Sequence, residues 1–374
     1  MKIPYIFPIV ATTLFVFLNL YIYKSISARF EIYDKFKKIK PFLIVFCLFL
    51  VIFEGMFFTR SVFAGALKDE ILYKICVVCV ASSFSLFFLC LAYDILNVSA
   101  KFAKFSESRR KFIKICVDVT FVIMAFSYLF KGFYNALKTP KINEVDIKIK
   151  NLSQDLNLAV VSDIHLGEFL KKDFLQTIVA QINATSHDAV CIVGDMFDLR
   201  SHELGDILEP LRELKKPVFF VTGNHEYYRG AKGLIEALER EGVRVLQNES
   251  VEFMGINLLG THDLSGVRFN ELEPNFRAAL KMTDPNKPKI LLAHQPKFIN
   301  LHVKDEVDLC ICGHTHGGQI FPFSLLVALD QKYVHGLYND GAKQIYVSSG
   351  AGFWGPPMRI FADAEIALLR LRRE

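Results

Sequence analysis

The hexapeptide Gly313-His314-Thr315-His316-Gly317-Gly318 directly follows an apolar run, Val307 to Cys312. A short apolar run flanked by breaking residues predicts a buried strand, so both histidines are expected on the loop at its carboxyl end. Ligands of open α/β sheets bind at that edge. Two imidazoles one residue apart on such a loop are hard to explain by packing, and they indicate a binding site.

Four other strand-like runs also end at an Asp, Asn or His. They are Leu158 to Val161, Ala189 to Val193, Val218 to Val221, and Ile290 to Ala293. The polar residues that follow these runs are Asp163 and His165, then Asp195, then Asn224, His225 and Glu226, and last His294. One polar residue after a strand is ordinary, but five successive endings of this kind predict a common centre.

In this order, the blocks D-x-H, G-D, G-N-H-E, H and G-H-x-H resemble the signature of the calcineurin-like metallophosphoesterases. The resemblance covers Leu158 to the C-terminus and implies an α/β fold, a two-sheet sandwich flanked by helices. It also implies two divalent metal ions, with Mn expected first and Fe, Zn or Mg as alternatives, because the ligands are oxygen and nitrogen atoms without thiolates. By this resemblance one ion is held by Asp163, His165 and His316, the other by Asn224, His294 and His314, and both by Asp195.

Two ions about 3.5–4 Å apart would polarise a phosphoryl group and lower the pKa of a shared water, whose hydroxide would attack phosphorus. His225 would stabilise the phosphoryl group or protonate the leaving oxygen, with Glu226 orienting it. We therefore expect a metal-dependent phosphoric ester hydrolase, either a phosphodiesterase or a diphosphatase. Its substrate would be a phosphate ester, with a lipid or lipid-linked nucleotide as a leading candidate.

The composition points to a membrane. Hydrophobic residues make up 52% of the 374 residues, with 35 Phe and a mean hydropathy of +0.29. Residues 1–140 hold 18 Lys and Arg against 8 Asp and Glu, a formal +10, and the remainder is −5. The basic charge therefore lies in the membrane half, which argues against nucleic-acid binding by the catalytic half.

Four apolar runs approach the length needed to span a bilayer. They are Ile6 to Tyr23, Phe42 to Phe58, Ile75 to Tyr93, and Phe112 to Phe130. The loops after the first and third runs are strongly basic, which predicts that they are cytoplasmic and that both termini lie outside. We expect a multi-pass protein, of the inner membrane in a bacterium, with a periplasmic or extracellular catalytic domain. A basic cluster after the fourth run, which includes Lys131 and Lys138, would suit the opposite orientation.

Two acids, Glu54 and Asp118, lie in or near the spans. We expect both near span ends and unpaired with each other, with Lys114 next to Asp118 one helical turn away. The helices are then an anchor or a platform for lipid access.

The predicted organisation is a four-helix transmembrane region over residues 1–137, a polar linker over 138–155 and a catalytic domain over 156–374. Helical spacing is found from Lys172 to Ala184, Asp206 to Leu214, and Ala231 to Glu241, and its alternation with the strands predicts a layered α/β core. Cys191, Cys310 and Cys312 fall within predicted strands and are expected to be core residues.

Four residues near the ligand blocks or near the C-terminus are candidate substrate contacts: Arg200, Arg229, Trp354 and Arg359. Arginine binds phosphate through planar paired donors, and a Trp among glycines and prolines cannot be packed by its neighbours. An apolar segment, Gln319 to Leu329, would lie beside the site and suit an acyl chain or the membrane. A second hypothesis, from another class, is a membrane receptor or transport component that binds metal without catalysis.

Overall fold

The structure is a computed structural model that describes residues 6–30, 40–59, 69–100 and 106–374. The chain divides into two compact units, Met1–Tyr134 with Gly355–Met358 and Asn135–Trp354 with Arg359–Glu374. The first consists mainly of helices, and the second contains two β-sheets.

The described residues of the first part of the chain form four long apolar helices. They are α1 (Ile6–Arg29), α2 (Lys40–Phe58), α3 (Glu70–Ala100) and α4 (Glu107–Leu137). Each is long enough and apolar enough to cross a bilayer, and each contains one of the predicted spans. Several of the loop cations used for the orientation argument lie outside the described residues: Lys35, Lys37, Lys38, Arg60, Lys68, Lys101 and Lys104.

Two acidic side chains of these helices, Glu54 and Asp118, are buried against polar partners. Glu54, four residues before the end of α2, accepts a hydrogen bond from Asn19 Nδ2 (2.8 Å), and Asn19 Oδ1 accepts one from Ser83 (3.2 Å), so its side chain is buried. Asp118 forms the expected ion pair with Lys114, with Nζ 2.6 Å from Oδ1, but its side chain is fully buried. Because a carboxylate facing lipid is costly, these contacts place both acids among the helices.

A third buried acid, Asp94 of α3, was missed in the sequence. Its carboxylate accepts hydrogen bonds from Tyr21 and Ser25, each at 2.8 Å, and lies 3.1 Å from Nε of Arg29. It therefore links α3 to α1 by several polar contacts.

Two six-stranded sheets form the second unit. The first has the order β1-β12-β2-β3-β4-β5 and the second the order β10-β11-β9-β8-β7-β6. The strands of the first sheet are β1 (Lys141–Ile149), β2 (Leu156–Val161), β3 (Ala189–Val193), β4 (Val218–Val221), β5 (Arg244–Val245) and β12 (Glu365–Arg373). Those of the second are β6 (Glu249–Phe253), β7 (Ile256–Gly260), β8 (Lys289–Leu292), β9 (Leu309–Cys312), β10 (Gly336–Asp340) and β11 (Lys343–Val347).

Helices flank the sheets, which confirms the predicted sandwich class. They are α5 (Lys172–Asn183), α6 (Asn224–Arg229), α7 (Ala231–Arg240), α8 (Ser265–Phe269), α9 (Phe276–Lys281), α10 (Pro296–His302) and α11 (Phe323–Gln331). A central core joins residues of both sheets, such as Val160 and Cys191 of the first and Leu292 and Ile311 of the second. Burial of these side chains holds the sheets face to face.

The stretch predicted as a linker contains a strand. Residues 141–149 form β1, which pairs in parallel with β12 along its whole length, from Lys141 opposite Glu365 to Ile149 opposite Arg373. The stretch looked like a linker because lysines and acids alternate with its apolar residues. That alternation is typical of an edge strand with one solvated face, and Ile147 and Ile149 are buried on the other.

The predicted helix from Asp206 to Leu214 is instead a short 3₁₀ helix, Glu209–Glu213, that begins with a proline in its first turn. The helices predicted to begin at Lys172 and at Ala231 are present, and each ends one residue before its predicted end. The proline at position 210 is tolerated there because the first turn lacks an intrahelical acceptor for its missing N–H.

Candidate metal centre

Strand order brings the predicted ligands to one edge. The strands β2, β3 and β4 are mutually parallel, as are β7, β8 and β9, so their carboxyl ends lie on the same side of each sheet. Across the ends, Asp163 N donates to Gly194 O (3.1 Å) and Gly313 N to His294 O (2.9 Å). These backbone contacts tie the ligand loops of neighbouring strands together.

One group of side chains consists of Asp163, His165 and His316, all buried, whose ligand atoms lie within 4.8 Å of one another. The Nε2 atoms of the two histidines are 3.1 Å apart, and His316 Nε2 is 3.3 Å from Asp163 Oδ1. Three potential ligand atoms thus converge on one point, which suits a metal ion bound by oxygen and nitrogen.

A second group consists of Asp195, His294 and His314, again with ligand atoms within 4.8 Å. His294 Nε2 lies 3.1 Å from Asp195 Oδ2, and the same oxygen is 3.9 Å from His165 Nε2 of the first group. Asp195 therefore stands between the groups, as expected of a shared ligand.

The potential ligand atoms are arranged to bind a metal ion rather than to satisfy one another by hydrogen bonds. The other ring nitrogen of His294, Nδ1, hydrogen-bonds to the carbonyl of Val193 (2.8 Å), which orients Nε2 towards the centre. Oδ1 of Asn224 is buried and has no hydrogen-bond partner, and Nε2 of His294, which is also buried, faces the carboxylate of Asp195. Since buried polar atoms are normally satisfied, the oxygen of Asn224 is in place to bind a cation.

The imidazoles of the site differ in charge. Burial would lower the pKa of His294, but Asp195 holds it well above the ordinary value, so a bound metal ion would displace the proton from Nε2. Burial lowers the pKa of His314 to about 3, so its ring is neutral and can bind a metal. Burial would raise the pKa of Asp195, but the neighbouring His294 and His225 hold it well below the ordinary value. Asp195 is therefore an anion at neutral pH, the state that a bridging ligand requires.

The backbone of the site is strained at the ligands. Asp163, His165, Asp195, His314 and His316 all have positive φ, between 50° and 70°. The left-handed region is uncommon for residues other than glycine, and it persists only where the surroundings impose it. Five of the seven predicted ligands have this left-handed conformation. The fold therefore accepts a cost in stability to orient these side chains.

His225 is oriented by a residue that the sequence analysis missed. Asp198 Oδ1 accepts from His225 Nδ1 (2.6 Å) and lies 3.3 Å from His165 Nδ1. Burial would raise the pKa of Asp198, but these histidines hold it well below its ordinary value. One carboxylate oxygen thus orients a predicted metal ligand and the predicted catalytic histidine.

Glu226, which the sequence suggested for that role, does something else. It is fully buried, and its carboxylate accepts backbone N–H groups of Asp195 (3.0 Å), Met196 (2.9 Å), Phe197 (3.3 Å) and Gly223 (2.6 Å). It fixes the loop that carries Asp195 and does not orient His225.

Comparison with known proteins agrees with the geometry. Residues 156–318 match the sequence profile described as Calcineurin-like phosphoesterase. A Campylobacter jejuni protein named uncharacterized metallophosphoesterase is 35% identical over 376 residues, 98% of each chain. The chain belongs to the calcineurin-like metallophosphoesterase family. A metallophosphoesterase of Helicobacter pylori strain J99, also named uncharacterized, is 40% identical over 349 residues, 91% of this chain and 94% of its own.

Relatives of this metallophosphoesterase also occur in animals. A Danio rerio protein named transmembrane protein with metallophosphoesterase domain is 35% identical over 260 residues, 65% of this chain and 60% of its own. In the present chain, the four membrane-length helices themselves indicate a membrane protein.

Arg359, predicted as a substrate contact of the metallophosphoesterase, is instead fully buried. Its guanidinium donates to the carbonyls of Gly352 (Nε, 2.9 Å), Ser349 (2.8 Å) and Ala362 (3.1 Å), and Nη2 lies 3.3 Å from His316 Nδ1. A guanidinium engaged by backbone carbonyls on several sides cannot also grip a substrate phosphate. Arg359 therefore holds the C-terminal loop against a predicted metal ligand.

The other three candidate substrate contacts lie at a cavity beside Tyr228 or next to the ring of His225. Arg200 and Arg229 line a cavity of about 460 Å³ together with Tyr228, whose ring is 5.2 Å from that of His225. Trp354 is 50% exposed, which excludes a core role, and its ring centroid is 6.4 Å from that of His225. All three remain candidates for substrate contact.

Replacing Asp198 with Asn tests its orienting role. The amide is similar in shape but uncharged, so we expect the Mn concentration for half-maximal activity to rise, or kcat to fall, by roughly 10- to 100-fold. The measurement is hydrolysis of an aryl phosphodiester over a Mn titration. The control is Asp206→Asn, at an exposed acid paired with Lys172. Unchanged kinetics in Asp198→Asn would show that the carboxylate has no such role.

Proposed function

We propose that this protein is a membrane-anchored phosphoesterase that uses two divalent metal ions, Mn before Fe, Zn or Mg, to hydrolyse a phosphodiester or pyrophosphate bond. The observation that carries the proposal is the pair of neighbouring ligand groups, of which Asp195 belongs to the second and has Oδ2 3.9 Å from His165 Nε2 of the first. The seven proposed ligands are Asp163, His165, Asp195, Asn224, His294, His314 and His316.

When bound, the two ions would polarise the phosphoryl oxygens and lower the pKa of a water that serves as nucleophile. The chain's own residues supply orientation and proton transfer. Asp198 holds His225 through Nδ1, which leaves Nε2 of that ring for the substrate. His225 can then stabilise charge on the phosphoryl group or donate a proton to the leaving oxygen.

The surroundings of His225 favour a substrate with a second anionic group. The cavity of about 460 Å³ beside Tyr228 is lined by three basic residues, Arg200, Arg229 and Lys232, and by one acidic residue, Glu271. A diphosphate or a phosphodiester with a charged head group would place its second anion there.

The decisive test of the enzyme assignment is hydrolysis of a generic aryl phosphodiester by the full chain with Mn added. We expect turnover that is abolished by a chelator, is lost in Asp195→Ala, and falls roughly 10²- to 10⁴-fold in His225→Ala. The Asp195 variant loses the shared ligand, whereas the His225 variant keeps all seven.

Failure of the wild type to hydrolyse any diester, diphosphate or lipid phosphate would favour a receptor or transport component that binds metal without catalysis. A His225→Ala variant as active as the wild type would remove His225 from the mechanism.

We also propose that the membrane helices cross the bilayer four times, with the catalytic domain in the periplasm or outside the cell. Lys24 and Arg29 at the end of α1 and Arg109, Arg110 and Lys111 near the start of α4 support cytoplasmic loops at those ends. With four spans and cytoplasmic loops at those helix ends, both termini lie on the outer side of the membrane.

Fusing alkaline phosphatase after Glu374 tests this orientation in bacterial cells. The enzyme folds only where its disulfides can form, so we expect an active fusion. A fluorescent protein that folds only in the cytoplasm, fused at the same residue, is the matched control and should be dark. An inactive phosphatase with a bright fluorescent fusion would reverse the orientation.

A further inference from the structure

The helix α11 (Phe323–Gln331) presents its apolar side chains to solvent. Leu325, Leu326 and Leu329 are 60%, 59% and 84% exposed, whereas the only buried residue of the helix is Gln331. A helix on a globular domain ordinarily buries its apolar side, and here the pattern is reversed. Adjacent exposed leucines of this kind mark a surface that is covered in use.

A second segment extends this surface. Ile320 and Ile360 pair as a β-bridge, and the rings of Phe321 and Phe361 lie 6.0 Å apart. Phe361 is 82% exposed. We call Leu325, Leu326, Leu329 and Phe361 the apolar rim.

The rim continues to the metal centre through Gln319. The side chain of Gln319 donates to Trp354 O (2.8 Å) and accepts from Trp354 N (2.9 Å). It thereby fixes the half-exposed Trp354 beside His225. Gln319 lies three residues after the predicted ligand His316, so the apolar surface begins next to the reaction centre.

The cavity with Arg200 and Arg229 adjoins His225 through a different neighbour, Tyr228. His225 therefore contacts the ring of Trp354, which leads to the apolar rim, and the ring of Tyr228, which belongs to the basic cavity. A substrate that used both would have an apolar part and an anionic part, with the scissile phosphate between them.

The chain itself supplies the partner for the rim. The membrane-length helix α4 ends at Leu137 and β1 begins at Lys141. Four residue steps of extended backbone span at most roughly 14 Å, so the domain is tethered close to any bilayer that α4 enters. Exposed Leu, Phe and Trp side chains beside a bilayer are typical of surfaces that enter its interface.

We propose that the apolar rim and Trp354 insert into the lipid bilayer to which the helices anchor the chain, and that the substrate is a bilayer lipid carrying a phosphate ester. The second part rests on the proposed phosphoesterase function. The acyl chains stay in the bilayer along the rim, the phosphate reaches the metal centre, and the polar head group occupies the cavity with Arg200 and Arg229.

The single Trp of the chain provides a direct readout. The full chain is reconstituted into phosphatidylcholine vesicles with either plain or brominated acyl chains, because bromine quenches Trp fluorescence only at close range. We expect Trp354 emission in brominated vesicles to be about half, or less, of that in plain ones. The double variant Leu326→Asp/Leu329→Asp should lose most of this quenching.

The matched control is Met282→Asp, which places the same charge at an apolar residue that is 58% exposed at the end of α9. It should be quenched like the wild type. Equal emission in the two vesicle types for the wild type would overturn insertion. Insertion would also be overturned if a second copy of the chain covers the rim. That result would be seen as an oligomer that dissociates in the double variant, with Trp354 unquenched by the brominated vesicles.

The substrate class has its own measurement, the ratio of turnover on a phosphodiester lipid in vesicles to turnover on a soluble aryl phosphodiester. The double rim variant should lower this ratio about tenfold, and Met282→Asp should leave it unchanged. An unaltered ratio in the rim variant would overturn the lipid assignment. Absence of turnover in the wild type on both compounds and on a diphosphate would instead reject the proposed function, while the fluorescence result would still decide insertion.

Discussion

The catalytic domain depends on one constraint, which is that carboxylate and imidazole side chains are held close together around Asp195. Burial raises the pKa of Asp163, and Asn224 Oδ1 lies buried without a hydrogen-bond partner. Such groups are costly inside a protein unless cations or hydrogen bonds compensate them. Divalent ions would supply the missing partners, so the affinity for metal and the stability of this edge of the sheets are expected to be linked.

Much of the second unit serves to hold these groups in place. The loops after β2, β3 and β9 take left-handed conformations at the ligands, and Gly313 packs so closely that an added Cβ would lie 1.8 Å from Ser162 Oγ. Glu226 fixes the loop of Asp195 through four backbone N–H groups, and Arg359 fixes the loop behind His316. Neither of these buried charged residues is placed to meet the substrate, yet the site depends on both for its shape.

The sequence was informative where a local pattern reports a local structure. Apolar runs ending in Asp, Asn or His located the strands and grouped the ligands, because parallel strands share one carboxyl edge. Prediction from the sequence failed where contacts between residues far apart in the chain determine a residue's role. Asp198 is an ordinary loop acid in the sequence, and only the approach of His225, 27 residues away, gives it a role. Burial of Arg359 likewise follows from the return of the C-terminal loop to His316, and β1 was missed because its partner β12 lies at the far end of the chain.

The central claim is that seven side chains hold two metal ions, and metal stoichiometry tests it most directly. The full chain, purified and equilibrated with Mn, is measured by elemental analysis beside Asp195→Ala and the control Asp206→Asn. The account predicts two ions per chain in the wild type and in the control, and fewer than two without the shared carboxylate. One ion or none in the wild type, or two in Asp195→Ala, would contradict it.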